Sequence, residues 1–331
     1  MLMPEIIDAN SHITSDAILD AIAELHDTEQ ATSLKSAPRL YDVDHRIDFL
    51  DRHDIDRQVI NLARPTIFLG LTPEESIEAT RIANDEIRRI ADEHPDRLIP
   101  MGTVPFLTGK YLDEARRCVE DLGFPALQIF TNVNGQLLDH EDFEPFWETV
   151  DSLDVPVWMH PQIYDWHDFE TGETWIYKAL GWPFDTTVAL ARLVFSGLLD
   201  RHPNVEVVSH HLGGTLPYLV GRFRSWYQTR QEEPELYADQ EVADLDHDLD
   251  TYVGRLYGDT AVSSHGESYP LRCGYEFFGA DNVVYSSDYP LGPDRGEFWP
   301  EQIMAAIDDL DVPEAHRERI YSANAARLLG L

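Results

Sequence analysis

The chain is short of positive charge. It carries 25 basic residues against 61 acidic ones, a formal net charge of −36, and only three of the basic residues are lysines: Lys35, Lys110 and Lys178. Nucleic acid and anionic membranes recruit proteins through positive counter-charge, so this balance excludes both as partners. Cysteine is also scarce. Cys118 and Cys273 are far apart and neither belongs to a CxxC pair, which gives no disulfide framework and points to a reducing compartment. Long apolar runs are missing: no stretch reaches the ~18 residues that a membrane span needs. The start, Met1-Leu2-Met3-Pro4-Glu5, lacks a basic segment and an apolar stretch of signal length. These absences together predict a soluble, cytoplasmic protein.

What is present is a hydrophobic fraction of 43% over 331 residues. That suits one α/β barrel, which runs to about 250 residues plus insertions, or two small domains. The acidic residues are spread along the whole chain rather than gathered in a tail. Carboxylates hold water and keep a protein soluble in concentrated salt, where self-repulsion is screened. The composition resembles that of proteins from salt-accumulating halophiles; the alternative is a docking surface for a basic partner.

Eight short β-rich runs punctuate the chain: 5–8 (EIID), 58–62 (QVINL), 98–104 (LIPMGTV), 126–130 (ALQIF), 155–160 (VPVWMH), 205–209 (VEVVS), 256–260 (LYGDT) and 282–286 (NVVYS). The seventh is the weakest pattern. Most are continuous apolar runs, as parallel strands buried on both faces require. Amphipathic helical segments separate them, at 42–52, 72–93, 112–122, 141–153, 186–199 and 216–226. The segment at 72–93 opens Thr-Pro-Glu-Glu, an N-cap followed by proline at the first helical position. Strand–helix alternation over eight units predicts a single (β/α)8 TIM barrel spanning 1–331; a doubly wound open sheet is the alternative. Two segments interrupt the alternation. Residues 164–183 are rich in aromatics (Tyr164, Trp166, Phe169, Trp175, Tyr177, Trp182) and would form a lid after strand five. Residues 228–250 are polar and acidic, a solvated insertion or an oligomer contact.

Active sites of such barrels sit at the C-terminal ends of the strands. Strand one runs into Asn10-Ser11-His12, strand five ends in His160, strand six runs into His210-His211, and strand eight into Ser287-Asp288. Taken singly, each has an ordinary structural role: a hydrogen-bonded histidine, or an aspartate in a turn or at a helix N-cap. Together they put imidazoles and a carboxylate on one rim, a donor set that Zn²⁺, Mn²⁺ or Fe²⁺ accepts with a position left for water or substrate. His265, after strand seven, is placed to line the mouth. Arg64, after strand two, is placed to clamp a carboxylate. The histidines at 26, 45, 53, 94, 140, 202 and 316 read as surface residues.

Several motifs resemble one family. They are Asn132-Val133-Asn134-Gly135 with Leu138-Asp139, Pro156-Val157-Trp158-Met159-His160-Pro161, His211-Leu212-Gly213-Gly214-Thr215-Leu216-Pro217, Gly221-Arg222-Phe223, Tyr285-Ser286-Ser287-Asp288-Tyr289-Pro290 and Asn324-Ala325-Ala326-Arg327-Leu328-Leu329. They are similar to the amidohydrolase-related group that includes aminocarboxymuconate semialdehyde decarboxylase and γ-resorcylate decarboxylase. The resemblance implies that His12, His160 and Asp288 are metal ligands and that His211 is the catalytic histidine, with His210 turned into the wall. It implies that Arg222 reaches a substrate carboxylate across a homodimer interface; a salt-bridged surface arginine is the other reading. One position departs from the pattern. The family's first strand reads His-x-His or Glu-x-His, whereas here Asn10 offers only a neutral amide, a weak fourth ligand.

The function this implies is metal-dependent, non-oxidative decarboxylation of a small aromatic or unsaturated carboxylic acid, with Zn²⁺ expected first and Mn²⁺ second. Arg64, Arg222, Trp166 and His265 are the expected substrate contacts. The rivals are hydrolysis of an ester, lactone or amide on the same constellation, which in some relatives needs no metal, and a barrel that has lost catalysis.

Overall fold

The computed structural model describes residues 5–25, 37–62, 71–162, 176–237, 242–262 and 265–331. Its centre is a ring of parallel strands: β1 (Ile7–Ile13), β2 (Arg57–Leu62), β3 in two pieces (Leu98–Pro100 and Gly102–Thr103), β4 (Leu127–Phe130), β5 (Val157–His160), β6 (Val207–Ser209), β7 (Leu256–Asp259) and β8 (Val283–Val284). The first piece of β3 pairs with β2 and the second with β4, so β3 joins the first strands to the rest. The ring closes where Ala9 N donates to Tyr285 O at 2.8 Å, linking β1 to the end of β8. This is the expected (β/α)8 barrel.

Helices cover the outside. They include α1 (Asp16–Ala23), α2 (Val43–Arg52), α3 (Pro73–Glu93), α4 (Lys110–Arg116), α5 (Glu144–Leu153), α6 (Trp182–Phe195) and α7 (Leu216–Glu232). Local chemistry sets their starts. Thr72 and Glu75 form a capping box ahead of α3, with Pro73 in its first turn, so two otherwise unsatisfied N–H groups find acceptors. The acidic segment expected as an insertion from 228 begins as a continuation of α7, which runs to Glu232. No described helix is long and apolar enough to cross a membrane.

The interior of the ring has two storeys. Ile7, Ala9, Val59, Ile99, Met101, Ala126, Trp158, Val208, Tyr257 and Val284 form an apolar lower storey, closed from below by Ala325, Leu328 and Leu329. Side chains two residues along a strand share a face. The next inward positions are therefore Asn61, Thr103, Gln128, His160, His210 and Asp259, all buried and all polar, and Asp288, four residues after Val284 in the turn beyond β8, joins them. On β1 the register shifts between Asp8 and Ser11. Such a bulge changes which face successive residues take, and it brings Asn10 and His12 to the side already used by Ile7 and Ala9.

Two sequence expectations need correction. Strand one does not stop at Asp8 but continues to Ile13, because its polar residues are buried in the upper storey rather than placed in a loop. His53 and His202 are not surface residues. Both are buried, with Nε2 held 2.8 Å from Glu297 and 2.9 Å from Glu144 respectively.

Candidate metal centre and active site

His12, His160, His210, His211 and Asp288 meet in the upper storey. One ring nitrogen each from His12, His160 and His210 lie within 4.8 Å of one another, and so do donor atoms of His210, His211 and Asp288. Asp288 Oδ1 is 3.2 Å from His12 Nε2 and 3.4 Å from His210 Nε2.

Hydrogen bonds behind the cluster fix which nitrogens face it. His12 Nδ1 donates to Asn61 Oδ1 at 2.8 Å, and Gln128 Nε2 donates to the same oxygen at 3.0 Å. His160 Nδ1 donates to Pro161 O at 2.7 Å. His210 Nδ1 donates to Asp259 Oδ2 at 2.6 Å, while Asp259 Oδ1 accepts from His211 N at 3.0 Å. Each ring is thereby held with its Nε2 facing the cluster, the arrangement in which a partner behind a histidine orients it toward a metal.

Arg46 secures this frame. Fully buried, it donates through Nη1 to Ser11 Oγ and Gln58 Oε1, and through Nη2 to the His12 carbonyl; its guanidinium lies 4.9 Å over the Tyr289 ring. Asp8, also buried, accepts from Gln58, Ser287 and Asn10 N. Burial outweighs these bonds and pushes its carboxyl up to about 6.

The loops that present the site are strained. His211, Leu212 and Asp288 have φ of 55°, 54° and 59°, a left-handed region that costs a side-chain-bearing residue roughly 1–3 kcal/mol. Gly214 is required for a different reason: a Cβ there would lie 2.1 Å from Pro183 O. That close approach seats the start of α6 on the 210–214 loop. Trp182 consequently stacks on His211, centroids 6.2 Å apart at 14°, and meets His160 edge-on at 5.9 Å.

The electrostatics follow from burial and neighbours. Burial, then His210 and His12, hold His160 well below its ordinary value, and burial with His210 does the same for His211. Both rings are neutral near pH 7. Burial alone would raise Asp288, but His12 and His210 outweigh it and keep its carboxyl well below the usual range. Burial would lower His210, but Asp259 and Asp288 outweigh it and push it up to about 10.

His12 Nε2, His210 Nε2 and Asp288 Oδ1 are buried without a hydrogen-bond partner. Unsatisfied buried polar atoms cost about 1–3 kcal/mol each, and a divalent cation is the group that would satisfy all three. Neutral imidazoles and a carboxylate fit Zn²⁺ or Mn²⁺.

The remaining sequence candidates fall elsewhere. Asn10 Oδ1 accepts a hydrogen bond from Asn61 Nδ2, and its amide nitrogen sits 3.0 Å from His210 Nδ1. Arg222 is exposed on α7 with its guanidinium 5.9 Å over the Trp226 ring. His265 is exposed and its ring packs 5.0 Å from Phe298. Arg64 and Trp166 lie outside the described residues. His210 is the clear correction: it points inward to Asp288, not into the wall. Asp259 was not singled out from sequence, whereas Trp182 was named among the aromatics of the 164–183 segment. The inward spacing Val208, His210 and Tyr257, Asp259 was the available signal.

The family model described as amidohydrolase matches residues 7–331, nearly the whole chain. The chain belongs to the amidohydrolase family. This amidohydrolase is 30% identical to the 2-amino-3-carboxymuconate-6-semialdehyde decarboxylase of Dictyostelium discoideum, over 88% of this chain and 77% of that one. It is 28% identical to the γ-resorcylate decarboxylase of Rhizobium sp. (strain MTP-10005), over 88% and 89% of the two chains. Among solved structures, the dihydroxybenzoic acid decarboxylase of Polaromonas sp. JS666, with bound manganese and the inhibitor 2-nitroresorcinol, superposes with a TM-score of 0.77 at 25% identity, covering 99% and 98%. The 5-carboxyvanillate decarboxylase of Sphingomonas paucimobilis shares the fold, with a TM-score of 0.84 at 21% identity over 99% of each chain.

Proposed function

We propose that this amidohydrolase is a non-oxidative decarboxylase of a small aromatic or unsaturated carboxylic acid, with a divalent cation held by His12, His160 and Asp288. The observation that carries this is the set of buried, unpartnered donor atoms beneath Trp182, in a chain whose relatives are decarboxylases. The cation is Zn²⁺ or Mn²⁺, the latter being the ion of the Polaromonas enzyme. When bound, it supplies a Lewis acid that draws charge onto the substrate's oxygens.

The chain's own residues do the rest. In the reaction the bond from carbon to carboxylate breaks, CO₂ departs, and the electron pair left on carbon takes a proton. Asp288 or His211 carries that proton. Trp182, flat against His211, offers a face for an aromatic ring and keeps water from the carbon that must be protonated. Neutral His160 and His211 leave the anionic substrate's charge to the cation.

A homodimer is part of the same reading. α7 exposes Tyr218 and Trp226 at 82% and 53%, beside a cavity of about 490 Å³ lined by Phe195, Phe223, Trp226 and Tyr227. A second copy seated there would cover these side chains and bring Arg222 to the partner's substrate. The free cysteines, Cys118 and Cys273, support a reducing, cytoplasmic setting.

The test is ¹³CO₂ release from ring-labelled and carboxyl-labelled hydroxybenzoates by Mn²⁺- or Zn²⁺-loaded protein. Carboxyl label should appear as CO₂ and the activity should vanish with chelator. Turnover of esters or lactones with no CO₂ from any acid would refute the decarboxylase.

A further inference from the structure

We infer that His210 is a fourth protein ligand of the metal centre, taking the place that Asn10 leaves empty, and that Asp259 is the residue that positions it. This rests on the metal-centre reading above.

Four observations converge on it. His210 is 1% exposed, and its Nε2 has no hydrogen-bond partner although Asp288 Oδ1 lies 3.4 Å away. A ring nitrogen of His210 comes within 4.8 Å of those of His12 and His160. Its ring is stacked on that of His160, centroids 5.0 Å apart at 21°, so the two imidazoles lie side by side in the cluster. Its other nitrogen is anchored by Asp259, which is 0% exposed and also holds the His211 and Ala261 amides at 3.0 and 3.2 Å. A carboxylate behind a histidine fixes the ring and makes its free nitrogen a better donor.

The neighbour of His210 explains why the place is open. Asn10 contacts His210 Nδ1 at 3.0 Å and spends its amide oxygen on Asn61. A neutral amide already engaged is a poor ligand for a transition ion. The donor comes instead from across the barrel, from β6, and the ligand set becomes His12, His160, His210 and Asp288. His211 stays outside that set, with its Nδ1 also unpartnered and its ring against Trp182, available for the proton.

Two direct readouts of the ion test this: Mn²⁺ titration of metal-stripped protein, following the free-ion electron paramagnetic resonance signal, and the visible spectrum of the Co²⁺-loaded protein. For His210→Ala the Mn²⁺ Kd should rise by more than about 100-fold, beyond the ~10–100-fold typical of losing a partner behind a ligand, which is the range expected for Asp259→Asn. The Co²⁺ bands should shift in His210→Ala and keep their positions in Asp259→Asn. Adding Asn10→Glu to His210→Ala should recover most of the lost affinity, because a carboxylate then returns to the vacant place. Wild-type Mn²⁺ affinity and an unchanged Co²⁺ spectrum in His210→Ala would overturn the assignment while leaving the metal centre standing. A wild-type protein that binds no Mn²⁺ or Co²⁺ would overturn both. Should His210→Ala fail to fold by circular dichroism, His210→Gln keeps the volume and polarity, and its Co²⁺ spectrum decides in the same way.

Discussion

The two storeys of the barrel interior are built on the same strands, two residues apart on most of them, and they obey opposite rules. Below, Trp158, Val208, Val284 and the Tyr257 ring pack among apolar side chains, the Tyr257 hydroxyl reaching out of the storey to donate to Glu206 at 2.6 Å. Above, His160, His210, Asp259 and Asp288 are buried too, yet His210 Nε2 and Asp288 Oδ1, with His12 Nε2 beside them, lack partners and two loops hold left-handed backbone. The lower storey holds the strands together. The upper storey gives up stability to keep lone pairs free, a division expected where activity needs a costly arrangement.

The sharpest way to break this comparison is to exchange its currencies. Asp288→Asn should lower CO₂ release by about 10²–10⁴-fold, with a smaller loss of thermal stability than Trp158→Ala. Trp158→Ala should cost about 3–5 kcal/mol of stability, read by denaturant titration, while the metal still binds to the folded fraction. Equal effects of both variants on both readouts would erase the distinction between storeys.

A buried ion pair outside the barrel gives a third, smaller contrast. Glu114 accepts from Arg117 at 2.8 Å, Asn84 at 2.8 Å and Arg81 at 3.2 Å. Burial alone would raise its carboxyl, but these partners hold it below its ordinary value. Its contribution is therefore fully present above the unfolded value near 4.5 and is lost as pH falls through the folded value. Glu114→Gln should cost about 1–3 kcal/mol near pH 7 and flatten the stability curve below pH 5. An unchanged acid limb would show that this pair is too solvated to matter. The smallest effect is expected from Trp182→Ala, about tenfold on turnover of an aromatic acid with little change in melting, measured against a non-aromatic substrate as control.

Most of the ring was legible in the sequence, because parallel strands buried on both faces read as short apolar runs. His12, His160, His211 and Asp288 were legible through the rule that strand ends carry the chemistry. What stayed hidden has a common cause. A strand buried on both sides shows no alternation, so in VEVVSHH the two-residue step from Val208 to His210 marks the inward histidine only once Val208 is known to face inward. Asp259 sat in the weakest of the eight runs. The register shift of β1 carries Asn10 and His12 into the barrel, and it is visible only against β2.

The closing bond from Ala9 to Tyr285 has a consequence for the life of the chain before it is finished. The ribosome adds about 5–20 residues each second, so β1 and the last strand are made many seconds apart. Until the later part emerges, β1 has an unpaired edge, and His12 and Asp288 belong to no common site. Helices α2 and α3 can dock on the first strands meanwhile, since those contacts are local. The reactive centre is thus the last thing the growing protein acquires, and it stays inert while it is most exposed.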